Sequence, residues 1–330
     1  MTKYCLFSGV INEKLHPSIP ENEGQKNNPL MMSGLFAWSE VCKRFGGTGE
    51  MSSNLTREFM EKYDVIHVNY VPGNASYVAA IRDVLGKSDT KLVMNIDHAI
   101  DMFSTMDYYI LEKMAPSADF IFHVEELASM RLERHLERKV WCVPHPVDVW
   151  TISKFYRKIV PEAHVISVQH HRYLDNWDYG FYATRQLRKE FNLSTVLMSY
   201  WSAGRPTVPI DGYYDDIIGR TNYPDYIQML SKSYLNMDVT PQHTYGRGIV
   251  DAAALGIPTI ASNTISAAKR LFPLLTCDAV DDKKMEDLLR QLITNSEFMQ
   301  LCVDNALDMV KYYDYTHSYD RWNKMIETVE

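Results

Sequence analysis

Short apolar runs with little polar interruption alternate with longer mixed stretches from one end of this chain to the other. The runs Tyr4–Val10, Val65–Tyr70, Lys91–Ile96, Phe120–Val124 and Lys139–Val143 predict strands, and Leu30–Arg44, Ala75–Leu85, Asp107–Met114 and Glu125–Glu137 between them predict helices. Strands that do not alternate are covered on both faces, the pattern of a parallel sheet flanked by helices. The rhythm breaks at Pro144-His-Pro-Val-Asp148, where proline disfavours helix and a linker is expected. It then resumes. Strands are expected at Val165–Val168, Thr195–Ser199, Asn236–Val239, Pro258–Ala261 and Leu274–Cys277, with helices near Phe181–Phe191, Pro224–Lys232, Ile249–Leu255, Ala267–Leu271 and Met285–Thr294. Two Rossmann-like halves follow, 1–148 and 149–310. Gly46-Gly47-Thr48-Gly49 comes after a helix and not a strand, so it reads as a loop and not as a dinucleotide fingerprint. Trp201–Asn222, rich in Gly, Pro and Asp, is longer than a usual connection and reads as a functional loop or an insertion.

The densest chemistry lies between Tyr223 and Asn263. A buried strand ends near Thr240, Gly246 and Gly248 turn the chain, a small-residue helix runs from about Ile249 to Leu255, Gly256 stops it, and a second strand begins at Ile257. A helix start on a glycine loop presents unpaired backbone N–H groups, and one acid, Asp251, is expected in the first turn. Such a site suits a phosphate beside a sugar hydroxyl.

This segment resembles the nucleotide-sugar signature of retaining glycosyltransferases of the GT-B fold, family-four type. Those enzymes carry an acid, seven residues, a second acid, then a small-residue helix, Gly and Pro. Here His243 stands in the first acid's place, Asp251 in the second, and Gly246, Ala252, Gly256 and Pro258 keep register. The resemblance continues at Val143-Pro-His-Pro-Val-Asp148, similar to the segment that ends the amino-terminal domain, and at Ser167-Val-Gln-His-His-Arg172, where the family places a diphosphate-binding arginine. The lysine that usually follows is Tyr179 here. The resemblance implies an α/β GT-B fold, two doubly wound domains facing a cleft, with a final helix, Ser318–Thr328 within 311–330, packing back on the first domain. It implies donor binding by Arg172, Tyr245, Gly246, Arg247, Gly248 and Asp251, and active-site roles for His98 and His243. It also implies transfer with retention and no cofactor beyond the nucleotide sugar as substrate.

Each of these residues also has a structural reading. Asp251 favours a helix dipole by about 0.3–1 kcal/mol wherever it sits near an N-terminus. Arg247 is either a solvent-facing helix-start residue or, between two glycines, a stand-in for the missing lysine. His98 follows a buried strand and Asp97, as a sugar ligand or as a structural cap. His243 offers one donor and one acceptor where a carboxylate offers only acceptors, so donor preference is expected to differ from the family norm. His170 and His171 leave a strand to opposite sides without a third ligand, and Asp-x-Asp occurs nowhere, so no metal site is expected.

The 330 residues, 46% apolar and 23% charged, fit a two-domain soluble enzyme. A net charge of −8 argues against extended binding to a phosphate backbone, leaving no strong nucleic-acid signal. The run Arg131–Lys139 mixes signs at helical spacing and reads as a solvated face. Five scattered cysteines without metal spacing suit buried thiols in a reducing cytoplasm, and neither a cleavable leader nor a transmembrane segment is expected. The expected partner is a nucleotide sugar, and the acceptor is open among a glycan, a lipid-linked sugar, a protein and a modified nucleobase. Two other readings stand beside the transferase: a nucleotide-sugar epimerase of similar fold, and a nucleotide-sugar binder without catalysis.

Overall fold

The computed structural model describes residues 2–7, 34–71, 73, 75–155, 165–170, 187–199, 214–218 and 223–328. They divide into two compact units, one holding the described residues up to Val147 together with 313–328, the other holding those of 148–312. The first unit is a six-stranded sheet in the order β2-β1-β3-β4-β5-β6, formed by β1 Lys3–Phe7, β2 Thr48–Ser52, β3 Val65–Tyr70, β4 Lys91–Ile96, β5 Phe120–His123 and β6 Trp141–Cys142. Every pairing is parallel.

Because side chains alternate across a strand, this sheet has two chemically different faces. Cys5, Phe7, Ile66, Val68, Tyr70, Leu92, Met94 and Ile96 point to one, where Val78, Ile81, Leu85, Leu111 and Leu132 of three helices cover them. Tyr4, His67 and Phe122 lie on the other beneath two tryptophans, Trp38 of the helix Ala37–Arg44 and Trp322 of the helix Tyr315–Glu327, whose rings are 4.9 Å apart. Residues 313–328 are thus built into the first unit, and the chain's return is fixed where the Val147 N–H donates to the Tyr313 carbonyl at 2.9 Å.

The second unit repeats the plan, with strand order β12-β11-β10-β7-β8-β9. Its strands are β7 Val165–His170, β8 Ser194–Ser199, β9 Asp216–Ile218, β10 Leu235–Asp238, β11 Thr259–Ser262 and β12 Thr276–Cys277, again all parallel. From β7 the chain winds to one side through β8 and β9, then crosses back to place β10 on the other side of β7. The sheet therefore has a topological switch point between β7 and β10.

Two expectations change. The glycine cluster is not only a loop: Gly46 and Gly47 turn the chain and Thr48-Gly49 open the edge strand β2. The glycines are there for contact, since a Cβ on Gly49 would lie 2.1 Å from the Ser39 carbonyl oxygen and one on Gly47 2.3 Å from that of Thr2. Within Trp201–Asn222, Asp216–Ile218 is an edge strand, paired with β8. The helix Ser296–Met309 carries no counterpart among the expected elements; it buries only Cys302 and Ala306 and is capped by Asn295, whose side chain accepts from the Phe298 N–H. Among the described residues no helix is long and apolar enough to cross a membrane, and all five cysteines are free thiols.

Candidate functional site

In a doubly wound sheet, loops that leave the strands on either side of a switch point diverge and open a crevice at the carboxyl edge. In the second unit those are the loops after β7 and β10. Arg172 follows β7 and lies outside the described residues, as does Tyr179. The loop after β10 is pinned at both ends. The Thr240 N–H donates to Ser262 Oγ at 2.9 Å, and the hydroxyls of Ser262 and Thr264 donate to the Thr240 carbonyl at 2.7 and 2.5 Å. Farther on, the Thr244 and Tyr245 carbonyls accept from the N–H groups of Ser266 and Ala267. Tyr245 is buried and His243 is exposed on the same loop.

Gly246 caps the next helix from a left-handed conformation, φ 84° and ψ 56°, and a Cβ there would meet Ile265 Cγ2 at 2.2 Å. This cap starts the helix at Arg247, a half-turn earlier than its small-residue pattern predicts, and it runs to Leu255. Asp251 consequently sits in the second turn, not the first, so its role is not that of an acid at a helix N-terminus. At the far end Gly256 and Ile257 donate to Ala253 and Ala252, closing the helix as a Schellman turn. The N–H groups of Gly246, Arg247 and Gly248 have no acceptor within the helix by its geometry.

Arg247 and Asp251 are one turn apart and bound to each other, Nε to Oδ1 at 3.1 Å. A third residue joins them. Tyr223, at the start of the helix Tyr223–Leu230, donates its hydroxyl to the same Asp251 oxygen at 2.5 Å, and its ring lies 4.8 Å from the Arg247 guanidinium carbon. Three polar atoms of this cluster are buried without a hydrogen-bond partner among the described residues: Nη1 and Nη2 of Arg247 and Oδ2 of Asp251. Burial raises the Asp251 carboxyl above its ordinary range against the opposing pull of Arg247 and Tyr223, and burial beside that carboxylate pushes the Tyr223 phenol well up. Burial disfavours the Arg247 charge, but the Asp251 carboxylate outweighs it and keeps the guanidinium protonated. Donors on the guanidinium edge and an acceptor on the carboxylate thus stand side by side, complementary to an anion and a hydroxyl.

Tyr223 carries no motif and is 28 residues from Asp251 in sequence. The signal that points to it is topological: in a parallel α/β sheet every helix begins at the carboxyl edge, so the first residue of one helix meets the first turns of the next.

His98, in the first unit, follows β4 in a loop and is partly exposed, its ring stacked at 5.7 Å on Phe103. Two buried histidines that the sequence did not single out reach this loop. His123 receives the Glu125 N–H on Nδ1, which leaves Nε2 to donate to the His98 carbonyl at 3.2 Å. His145 receives Trp38 Nε1–H on Nδ1 at 3.3 Å, and its Nε2 stands 3.2 Å from Asp97 Oδ1, an ion-pair distance without hydrogen-bond alignment. Pro144–Asp148, read as a linker, thus also supports the end of β4. Among the described residues no cluster of three His, Cys, Asp or Glu is arranged to hold a metal ion.

No protein-family model matches the sequence, and no curated protein matches it. Solved structures match its fold. Anabaena Alr3699/HepE in complex with UDP-glucose superposes with a TM-score of 0.67 at 12% identity, over 100% of both chains. An alpha-glucosyltransferase in complex with UDP and a 13-mer DNA containing an HMU base gives 0.63 at 12% identity, over 99% of each chain. Trehalose-6-phosphate synthase OtsA gives 0.64 at 10% identity, covering 81% of this chain and 72% of that one. Likeness at this identity speaks to architecture: with two parallel α/β units in this order, the chain has the GT-B fold.

Proposed function

We propose that the protein is a glycosyltransferase that draws its sugar from a nucleotide-activated donor held by the second unit. The observation that carries this reading is the cluster at the start of the helix Arg247–Leu255, where two guanidinium nitrogens and one carboxylate oxygen are buried without hydrogen-bond partners among the described residues. Unmet buried groups of this kind cost about 1–3 kcal/mol each, more when charged. A nucleoside diphosphate, with a phosphate beside a ribose hydroxyl, meets both needs. The fold neighbours bound to UDP and UDP-glucose favour the same ligand class.

In this reading Arg247, the N–H groups at Gly246–Gly248 and Arg172 after β7 take up charge as the diphosphate departs, a contribution of positioning and electrostatics. Asp251 holds the ribose, Tyr245 backs the phosphate loop, His243 addresses a donor hydroxyl and His98 serves the acceptor. Retention at the anomeric carbon and turnover without a metal belong to the proposal through the family resemblance and the lack of Asp-x-Asp.

The test is incubation with a panel of nucleotide sugars, with and without chelator, following diphosphate release and the linkage formed on candidate acceptors: glycans, lipid-linked sugars, proteins and DNA with hydroxymethylated bases. Released diphosphate with a new α-linkage supports the reading. An isomerised donor without acceptor points to an epimerase, and saturable binding without release points to a binder.

A further inference from the structure

We infer that Asp251 reads a single ribose hydroxyl, and that Tyr223 is the positioning residue that makes it so; this rests on the second unit being a nucleotide-donor site. A carboxylate grips a cis-diol by giving one oxygen to each hydroxyl, and each oxygen has two lone pairs to offer. Asp251 cannot do this. Its Oδ1 already holds the Tyr223 hydroxyl at 2.5 Å and Arg247 Nε at 3.1 Å, so both acceptor positions are filled. Its Oδ2 is buried and unfilled.

Tyr223 is well placed to enforce the arrangement. It is 7% exposed, its ring stacks on Tyr226 at 6.2 Å, and burial beside the carboxylate keeps its hydroxyl protonated and donating. The same ring lies across the Arg247 guanidinium, so one side chain aims the guanidinium edge and blocks half of the carboxylate. What remains is one acceptor oxygen beside two unpaired nitrogens. A ligand hydroxyl donates to the oxygen while an anionic oxygen of the same ligand accepts from the guanidinium.

The experiment is calorimetry with UDP, GDP and ADP, then with the 2′-deoxy and 3′-deoxy forms of whichever binds, on wild type and on Tyr223→Phe. In wild type one deoxy form is expected to bind about ten- to a hundredfold more weakly, the size of a charge-assisted hydrogen bond, and the other about as well as the parent. In Tyr223→Phe the vacated Oδ1 accepts the second hydroxyl, so the second deoxy form acquires a penalty and the first keeps its own. A purely structural tyrosine would weaken all three ligands alike. Equal penalties for the two deoxy forms in wild type, or an unchanged pattern in a folded Tyr223→Phe, overturn the inference while leaving the donor reading intact. Binding of none of the three diphosphates overturns both. If Tyr223→Phe does not fold, the wild-type asymmetry decides.

Discussion

Gly246 and Gly86 both have positive φ, 84° and 56°, but ψ is 56° at Gly246, in the left-handed helical region, and −120° at Gly86, outside it. A Cβ on Gly86 would meet nothing within 4 Å, whereas one on Gly246 would collide with the branched Ile265 side chain. Gly86→Ala should therefore cost only the conformational penalty of a sparsely populated backbone region, about 1–3 kcal/mol. Gly246→Ala should cost more and weaken nucleotide binding as well, which thermal unfolding and calorimetry on the two variants would show. Arg247→Ala should reduce affinity for a nucleoside diphosphate far more than for the bare nucleoside, because a guanidinium pairs with phosphate oxygens and does not read the base; equal losses would place the phosphates elsewhere. His67 gives a pH signature. Burial, then the neighbouring His145, lowers its pKa from 6.5 to about 3. Below pH 6.5 the unfolded chain takes up a proton that the folded chain refuses, so stability falls with pH by about 1.4 kcal/mol per unit down to the folded value. Denaturant titrations at pH 7 and 5 should show this loss in wild type and a smaller one in His67→Gln. Gly246, Arg247 and Asp251 were legible as candidates in the sequence, from the glycine-bracketed helix start and the family resemblance. Tyr223, His123 and His145 were not, because distant stretches of chain bring each to its partners.

Helix starts carry much of the local design. Ser104 Oγ accepts from the Asp107 N–H at 3.2 Å while Asp107 Oδ2 accepts from the Ser104 N–H at 2.8 Å, a reciprocal box that opens the helix Thr105–Met114. Ser104→Ala should destabilise the first unit by about 1 kcal/mol, and Ser104→Asp much less, since aspartate caps as well. No difference between the two in thermal unfolding would mean the helix start is held by its packing. Central strands were legible to within a residue or two, as at Val65–Tyr70 and Lys91–Ile96, because burial on both faces keeps their runs largely apolar, with only His67 and Asn95 as fully buried polar residues among them. The edge strands Thr48–Ser52 and Asp216–Ile218 escaped because an edge tolerates Gly, Glu and Asp, and their pairing is set by a neighbour and not by their own pattern. The start of the helix at Arg247 escaped for a similar reason: its cap is a left-handed glycine and not a side-chain oxygen.

At the scale of the whole molecule, the two sheets share one plan but differ in what covers them. Trp322 is fully buried against Tyr4, Trp38, His67 and Phe122 in the first unit. Trp322→Ala should destabilise that unit by about 3–5 kcal/mol. Hydrogen exchange should then show lost protection in β1, β3 and the helix Ala37–Arg44, with the amides of β10 and β11 retained. Equal loss in both would mean the units unfold as one.

That tryptophan also sets a timetable. The strands of the first unit have all been synthesised by residue 142, yet the helix that seals one face begins only at Tyr315. A ribosome adding about 5–20 residues per second reaches that helix roughly ten to thirty seconds later. Until then Tyr4, Trp38 and Phe122 wait uncovered on the nascent chain while the second unit is being made. The first unit is thus begun before the second and sealed after it, and a chain cut short between its strands and Trp322 has its first sheet without that seal. Such a product exposes aromatic surface to chaperones and proteases, so the placement of a single late helix makes any chain cut short ahead of it a marked target for removal.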